Sequence, residues 1–344
     1  MFSKKKILLF FYFFFTPIII FFSVEFLLKI YFKSFKIPTD NRYKFRYMLY
    51  SEGKVFDGYK NFFKYQPNLL SRSLLYYYKK NKFLKIWDYE FNTNNFGLVQ
   101  KSDIFPGQDS ILFLGDSFTQ GQGASPWIDN FKGEISGYQV INGGILGTGF
   151  QQFENIYEHI NENFKIKKVV VIYIGGDLRR GVSIASDKNV LFIPSTKEEL
   201  DNLLIENHNL RLENKKEIKD RLKFFIRELY VYNLLRTQIN TFRLKNDELI
   251  QRNLKSIESL FKKNDPNIIF INVQTANEII TGQETYETKL LNKFFAKKKY
   301  PNYKCNLSND ISNYHEIDYH PNKKGYNEIF NCVKEIIYGE LIKS

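Results

Sequence analysis

A chain of 344 residues, 43% of them hydrophobic, is long enough for one large α/β domain with appendages, or two domains at most, around a sizeable core. Its formal charge of +13, from 50 Lys and Arg against 37 Asp and Glu, admits nucleic acid, anionic lipid or an acidic polymer as a partner. The lysines are scattered among Asn, Phe and Ile, with no compact basic block interleaved with aromatics, which argues against nucleic acid.

Lys4-Lys5-Lys6 leads an apolar run from Ile7 to Val24 broken only by Pro17, followed by Glu25, Phe26-Leu27-Leu28 and Lys29. At about 1.5 Å per residue such a helix just spans a hydrocarbon core of roughly 30 Å. A cleaved signal peptide would be shorter and end at small residues of the Ala-x-Ala kind, and none stands near Ser23. Residues 1–33 therefore read as an uncleaved transmembrane signal anchor. The three lysines favour a cytoplasmic N-terminus with the rest of the chain in the periplasm or outside, although Lys29, Lys33 and Lys36 pull the other way.

Residues 34–109 are rich in Tyr, Phe, Lys and Asn, with periodicity too poor to assign elements. They read as an N-terminal extension packed on the main domain. Asn92-Thr93-Asn94-Asn95-Phe96-Gly97 is a turn-rich loop.

From Ile111 the alternation of strands and helices becomes readable. Ile111-Leu112-Phe113-Leu114 has no polar alternation, the pattern of a strand covered on both faces. It runs straight into Gly115-Asp116-Ser117. Ligands in open α/β sheets sit outside the carboxyl ends of strands, where this serine falls, but Asp and Ser are also good helix caps. Gln139-Val140-Ile141-Asn142 is a second strand, ending in Gly143-Gly144, with Gly147 and Gly149 before a helix opening at Gln151. Lys168–Ile174 is a third, closed by Gly175-Gly176-Asp177, and Asn267–Val273 a fourth. Strands separated by helical patterns predict crossovers and a parallel sheet: an α/β, doubly wound three-layer sandwich, flavodoxin-like, behind the transmembrane helix.

Residues 196–263 form a charged helical insertion. Ser195-Thr196-Lys197-Glu198-Glu199 reads as a capped start, and Leu222–Leu229 carries apolar residues at helical spacing. The last cluster is Asp318-Tyr319-His320-Pro321-Asn322, an acid two residues from a histidine on a loop before a helix starting near Asn322. His159, His208 and His315 read as satisfied surface or core residues. The four histidines are too dispersed for a ligand cluster and Cys305 and Cys332 lack zinc spacing, so neither a metal nor a cofactor is expected. Those two cysteines bracket Asp318 and His320. They read as two unpaired buried thiols, with a disulfide stapling the loop to the last helix as the alternative.

Gly115-Asp116-Ser117, Asn142-Gly143-Gly144-Ile145-Leu146-Gly147, Gly175-Gly176-Asp177 and Asp318-Tyr319-His320-Pro321-Asn322 resemble, in order, the blocks of the SGNH/GDSL hydrolases. The resemblance covers roughly residues 110–344, with the helical insertion as an elaboration. It implies Ser117 as nucleophile, His320 as general base and Asp318 as the carboxylate that fixes the imidazole tautomer. It places the oxyanion hole at the backbone N–H groups of Ser117 and Gly147 and at position 176. Two features depart from the family. Its third block usually reads Gly-x-Asn-Asp, the Asn donating a third hydrogen bond to the oxyanion, and here Ile174 and Gly176 stand at the Gly and Asn positions. Asn142 and Arg179 are the replacement donors that suggest themselves. The Asp-x-His spacing, in place of Asp-x-x-His, resembles SGNH-like domains of polysaccharide O-acetylation proteins.

Together the anchor and the triad imply a serine esterase or acyltransferase acting on acyl esters, O-acetyl above all, of cell-surface glycans. A lipid or lysophospholipid esterase and a non-catalytic glycan-binding or assembly protein are the alternatives. The expected partners are an acylated carbohydrate or other ester and, through the first helix, a membrane. The oligomeric state is not legible.

Overall fold

The computed structural model describes residues 4–34, 45–50, 55–59, 61–79, 82–181, 196–213, 226, 229–232, 235 and 247–342. The chain forms two compact units, one of residues 1–43 with 205–245, the other of residues 44–204 with 246–344.

In the first unit, helix α1 (Lys4–Ser34) contains an apolar stretch, Tyr12–Ile30, of mean hydropathy 2.0, long enough to cross a membrane. Its acidic residue, Glu25, accepts from Tyr230 N at 2.6 Å and Val231 N at 2.9 Å. A carboxylate on an apolar helix is thereby satisfied by backbone donors of the insertion. The helix predicted over Leu222–Leu229 lies outside the described residues apart from Ile226 and Leu229.

In the second unit the extension folds as antiparallel strands: β1 (Phe45–Tyr50), β2 (Phe56–Tyr59), β3 (Phe62–Tyr65), β4 (Leu70–Lys79) and β5 (Lys82–Asn92). The strand order β1-β4-β5 makes one sheet and β2-β3 a hairpin. The α/β part follows, with β6 (Asp109–Gly115), α2 (Ser117–Gln120), β7 (Gln139–Gly144), α3 (Phe150–Asn161), β8 (Lys165–Tyr173), α4 (Lys197–Glu213), α5 (Glu248–Asn264), β9 (Ile268–Val273), α6 (Ala276–Thr281), α7 (Tyr286–Lys298), β10 (Asn302–Cys305) and α8 (Lys323–Ile337). Thr196 opens α4: its Oγ1 accepts from Glu199 N, and Glu199 Oε2 from Thr196 N, the reciprocal cap its spacing predicts.

The five-stranded sheet has the order β10-β9-β8-β6-β7, with every neighbour pair parallel. Its fifth strand, β10, is missing from the sequence reading. Alternate strand residues serve opposite faces. Ile111, Phe113, Val170, Ile172, Ile269 and Ile271 meet Trp127, Phe131, Ile329 and Val333 on one side. On the other, Tyr173 packs on Phe150 and Phe295, and Phe270 on Phe295, so the sheet is covered on both faces. That double cover is why these strands read as unbroken apolar runs, and Ile111 to Leu114 are all fully buried. In register, Gly115 lies level with Gly144 and Ile172, so the central strands end together and release three turns side by side.

Candidate active site

The first turn carries Ser117. Asp116 is the cap of α2, its Oδ1 accepting from Phe118 N at 2.8 Å, so the capping reading holds for the aspartate. The serine is left over for chemistry: its Oγ lies 3.0 Å from His320 Nε2. A side chain on Gly115 would run into Thr119 Oγ1 and the Ile172 carbonyl, which is why the strand ends in glycine before so tight a turn. Two contacts pin the turn from outside: Tyr326 Oη of α8 donates to the Gln122 carbonyl at 2.7 Å, and Trp127 Nε1 to the Phe118 carbonyl at 2.7 Å.

The second contribution comes from the loop before α8. His320 Nδ1 is hydrogen-bonded to Asp318 Oδ1. Between them Tyr319 adopts a left-handed backbone at φ 61°, and its N–H returns to the His315 carbonyl while His315 N–H meets the His320 carbonyl. For a residue with a Cβ that conformation costs on the order of 1–2 kcal/mol. It lets acid and base stand two residues apart and still meet. The loop is clamped at its exit, where Asn322 caps α8 by accepting from Lys324 N and Gly325 N. A Cβ on Gly325 would fall on the Asn313 carbonyl oxygen, so only glycine lets the helix start this close to the loop. The Asp318 side chain is 3% exposed and that of His320 17%. Ser117, His320 and Asp318 thus form one continuous hydrogen-bonded chain.

The backbone N–H groups of Ser117 and Gly147 donate to no acceptor among the described residues. Gly147 has φ +75°, a conformation that L side chains rarely adopt. Gly176, in contrast, faces open space, with nothing but Ile174 Cδ1 at 3.9 Å from where a Cβ would stand. Both replacement donors have other partners. Asn142 Nδ2 donates to the Val99 carbonyl at 2.8 Å and its Oδ1 accepts from Gly144 N at 3.0 Å, so the amide braces the second turn. Arg179 is ion-paired with Glu287.

The next residue, Arg180, is the one at the site. Its Nη1 lies 2.6 Å from Asp116 Oδ2, 2.8 Å from Asp177 Oδ1 and 3.2 Å from the Thr148 carbonyl. Burial pushes the Asp177 carboxyl well above the usual carboxylate range, reinforced by the neighbouring charge of Asp116. Burial works against the Arg180 cation, but the two carboxylates outweigh it and hold the guanidinium above its ordinary value.

The extension also reaches the triad, which the sequence reading missed. Tyr77 Oη of β4 donates to Asp318 Oδ2 at 3.2 Å. The Trp87 ring of β5 stands edge-on to His320 at 5.7 Å and contacts His315 at 5.5 Å. Gln120 joins Tyr65 of β3 to the second turn: its Nε2 donates to Tyr65 Oη at 2.9 Å and its Oε1 accepts from Leu146 N at 2.8 Å. Burial pushes the Tyr89 phenol up to about 12. The legible trace of this packing is the period-two aromatic run Trp87, Tyr89, Phe91. His315, half-buried, has its Nε2 2.8 Å from the Gly123 carbonyl, and desolvation holds its imidazole below the usual range.

Cys305 and Cys332 are not separate thiols but a disulfide, with Cα atoms 5.7 Å apart. The last residue of β10 faces α8 at bonding distance, which spacing along the chain cannot reveal. Among the described residues no three His, Cys, Asp or Glu side chains are grouped to hold a metal ion.

No protein-family model and no curated protein matches the chain. Solved structures do. A lipase/acylhydrolase from Enterococcus faecalis is 12% identical at a TM-score of 0.36, over 67% of this chain and 96% of that one. A lipolytic protein of the G-D-S-L family from Veillonella parvula is also 12% identical at 0.36, over 67% and 98%. A mutant of an acetyl-xylooligosaccharide esterase from Geobacillus is 11% identical at 0.35, over 67% and 94%.

Proposed function

We propose that this chain is a serine esterase of the SGNH type that removes small acyl groups, acetyl above all, from cell-surface glycans while tethered by α1. One observation carries the reading: the Ser117 Oγ to His320 Nε2 contact of 3.0 Å, continued from His320 Nδ1 to the buried Asp318. A serine hydroxyl is a weak nucleophile until a positioned base takes its proton.

In the reaction, Ser117 Oγ attacks the ester carbonyl carbon and its proton passes to His320 Nε2. Asp318, accepting from Nδ1–H, holds the tautomer that leaves Nε2 open and stabilises the imidazolium without taking the proton. The carbonyl oxygen, now an anion, is met by the N–H groups of Ser117 and Gly147. The tetrahedral intermediate collapses, the C–O bond to the sugar breaks, and the leaving hydroxyl takes the proton from His320. Water, deprotonated by the same imidazole, then releases the acid and frees Ser117. A sugar hydroxyl in the place of water would make the same acyl-enzyme a transferase.

The apolar stretch Tyr12–Ile30 supports the anchor, and the disulfide supports an oxidising compartment, hence export of the α/β unit. The test offers the full chain in detergent an O-acetylated polysaccharide and a lysophospholipid in parallel. Acetate release without fatty-acid release is expected. Fatty-acid release alone would replace the glycan by a lipid, and release of neither, with no covalent labelling of Ser117 by a fluorophosphonate, would leave a binding protein.

A further inference from the structure

The site as built has a difficulty. Two buried carboxylates, Asp116 and Asp177, flank the turn in which an oxyanion must form, and Asp116 Oδ2 lies 3.3 Å from Ser117 Oγ. A negative charge so close opposes a second one developing on the substrate, most strongly where water is excluded. It also competes with His320 for the serine proton. The side chain that would counter this at position 176 is absent.

Resting on the esterase reading, we infer that Arg180 is the positioning residue that makes this oxyanion hole work without an asparagine. A single guanidinium nitrogen touches the residue before Ser117 (Asp116 Oδ2), the residue after Gly147 (the Thr148 carbonyl) and the residue after Gly176 (Asp177 Oδ1). It therefore ties together the three strand-end turns that carry the nucleophile, the second N–H donor and the vacated donor position. Its charge offsets that of Asp116, and its 2.6 Å hold on Asp116 Oδ2, shorter than the 3.3 Å to Ser117 Oγ, leaves the serine proton to His320. The Nη1 contacts are the only ones the guanidinium makes among the described residues, and its side chain is 30% exposed. The open space beside Gly176 provides the test, because a Cβ placed there meets nothing nearer than Ile174 Cδ1 at 3.9 Å.

The experiment measures kcat and KM for p-nitrophenyl acetate with the full chain in detergent, for wild type, Arg180→Gln, Gly176→Asn and the double variant. Loss of a positioned electrostatic partner typically costs on the order of 10²-fold in kcat. Arg180→Gln should lose about that much with KM changed less than about threefold, and adding Gly176→Asn should recover at least tenfold of it. A scaffolding role would not be rescued by a donor at 176. Less than threefold loss in Arg180→Gln, or no recovery in the double variant, overturns the inference. If Arg180→Gln fails to fold, judged by tryptophan emission, Arg180→Met takes its place under the same criteria; failure of both to fold assigns Arg180 to holding the fold and also overturns it. Absence of turnover in the wild type, with no labelling of Ser117, would instead refute the esterase reading.

Discussion

Replacing Cys305 and Cys332 together by alanine opens a closure of 27 residues that contains both Asp318 and His320. In the chain-entropy account a loop of that length stabilises the folded state by about 3.5 kcal/mol. Cys305 is fully buried, so the replaced sulfur also loses packing there, and the loss should reach about 4 kcal/mol. For a body of this size each kcal/mol moves the midpoint by roughly 2–4 °C, which gives a fall of about 8–16 °C. The two tryptophans, Trp87 and Trp127, are both buried in the second unit, so their emission follows that unit alone in the full chain. Turnover should fall as well, since the segment that carries Asp318 and His320 loses the bond between β10 and α8 that closes its two ends. A midpoint lowered by less than about 2 °C, or two titratable thiols in the unfolded, unreduced wild type, would refute the reasoning.

Gly325→Ala should destabilise by about 1–3 kcal/mol and cut turnover, because the added methyl drives the start of α8 off the Asn313 carbonyl and drags the catalytic loop with it; chemical denaturation beside an esterase assay checks both. Asn142→Ala should cost about 1–3 kcal/mol of stability by orphaning the Val99 carbonyl and Gly144 N–H, with kcat of the folded protein much less affected than by Arg180→Gln. His315 is half-buried between Gly123 and Trp87 near Asp318 and His320, and partial burial holds its imidazole below the ordinary value of about 6.5. Below about pH 6.5 the unfolded chain takes up a proton that the folded one refuses, so stability falls with acidification until the folded group titrates. Denaturation midpoints at stepped pH should show that slope, flattened in His315→Gln.

How far this was legible from residue order depends on the element. The strands β6 to β9 announced themselves because burial on both faces leaves no polar interruption in Ile111–Leu114 or Val169–Ile172. The edge strand β10 did not, being four residues long with Lys304 exposed in its middle. In the extension, the register shift opposite Leu75 and Tyr76 skips Ile86, so the alternation of β5 is interrupted just before Trp87, and the approach of Tyr77 to Asp318 is a tertiary fact. Ser117, Asp318 and His320, which the structure joins by hydrogen bonds, stood out in the sequence because each follows a strand or precedes a helix with its own signals. Arg179 was considered as an oxyanion donor, whereas the contacts to Asp116 and Asp177 are made by Arg180. In a turn of about three residues per revolution, neighbours such as Arg179 and Arg180 point roughly 120° apart, and nothing local says which one faces the strand ends. Here Arg179 pairs with Glu287 and Arg180 with Asp116.

The most direct test is the rate of p-nitrophenyl acetate hydrolysis by the full chain beside Ser117→Ala and His320→Ala. The triad account predicts turnover in the wild type and a loss on the order of 10³-fold or more in each variant. Equal turnover in all three, or none above background in any, would contradict it.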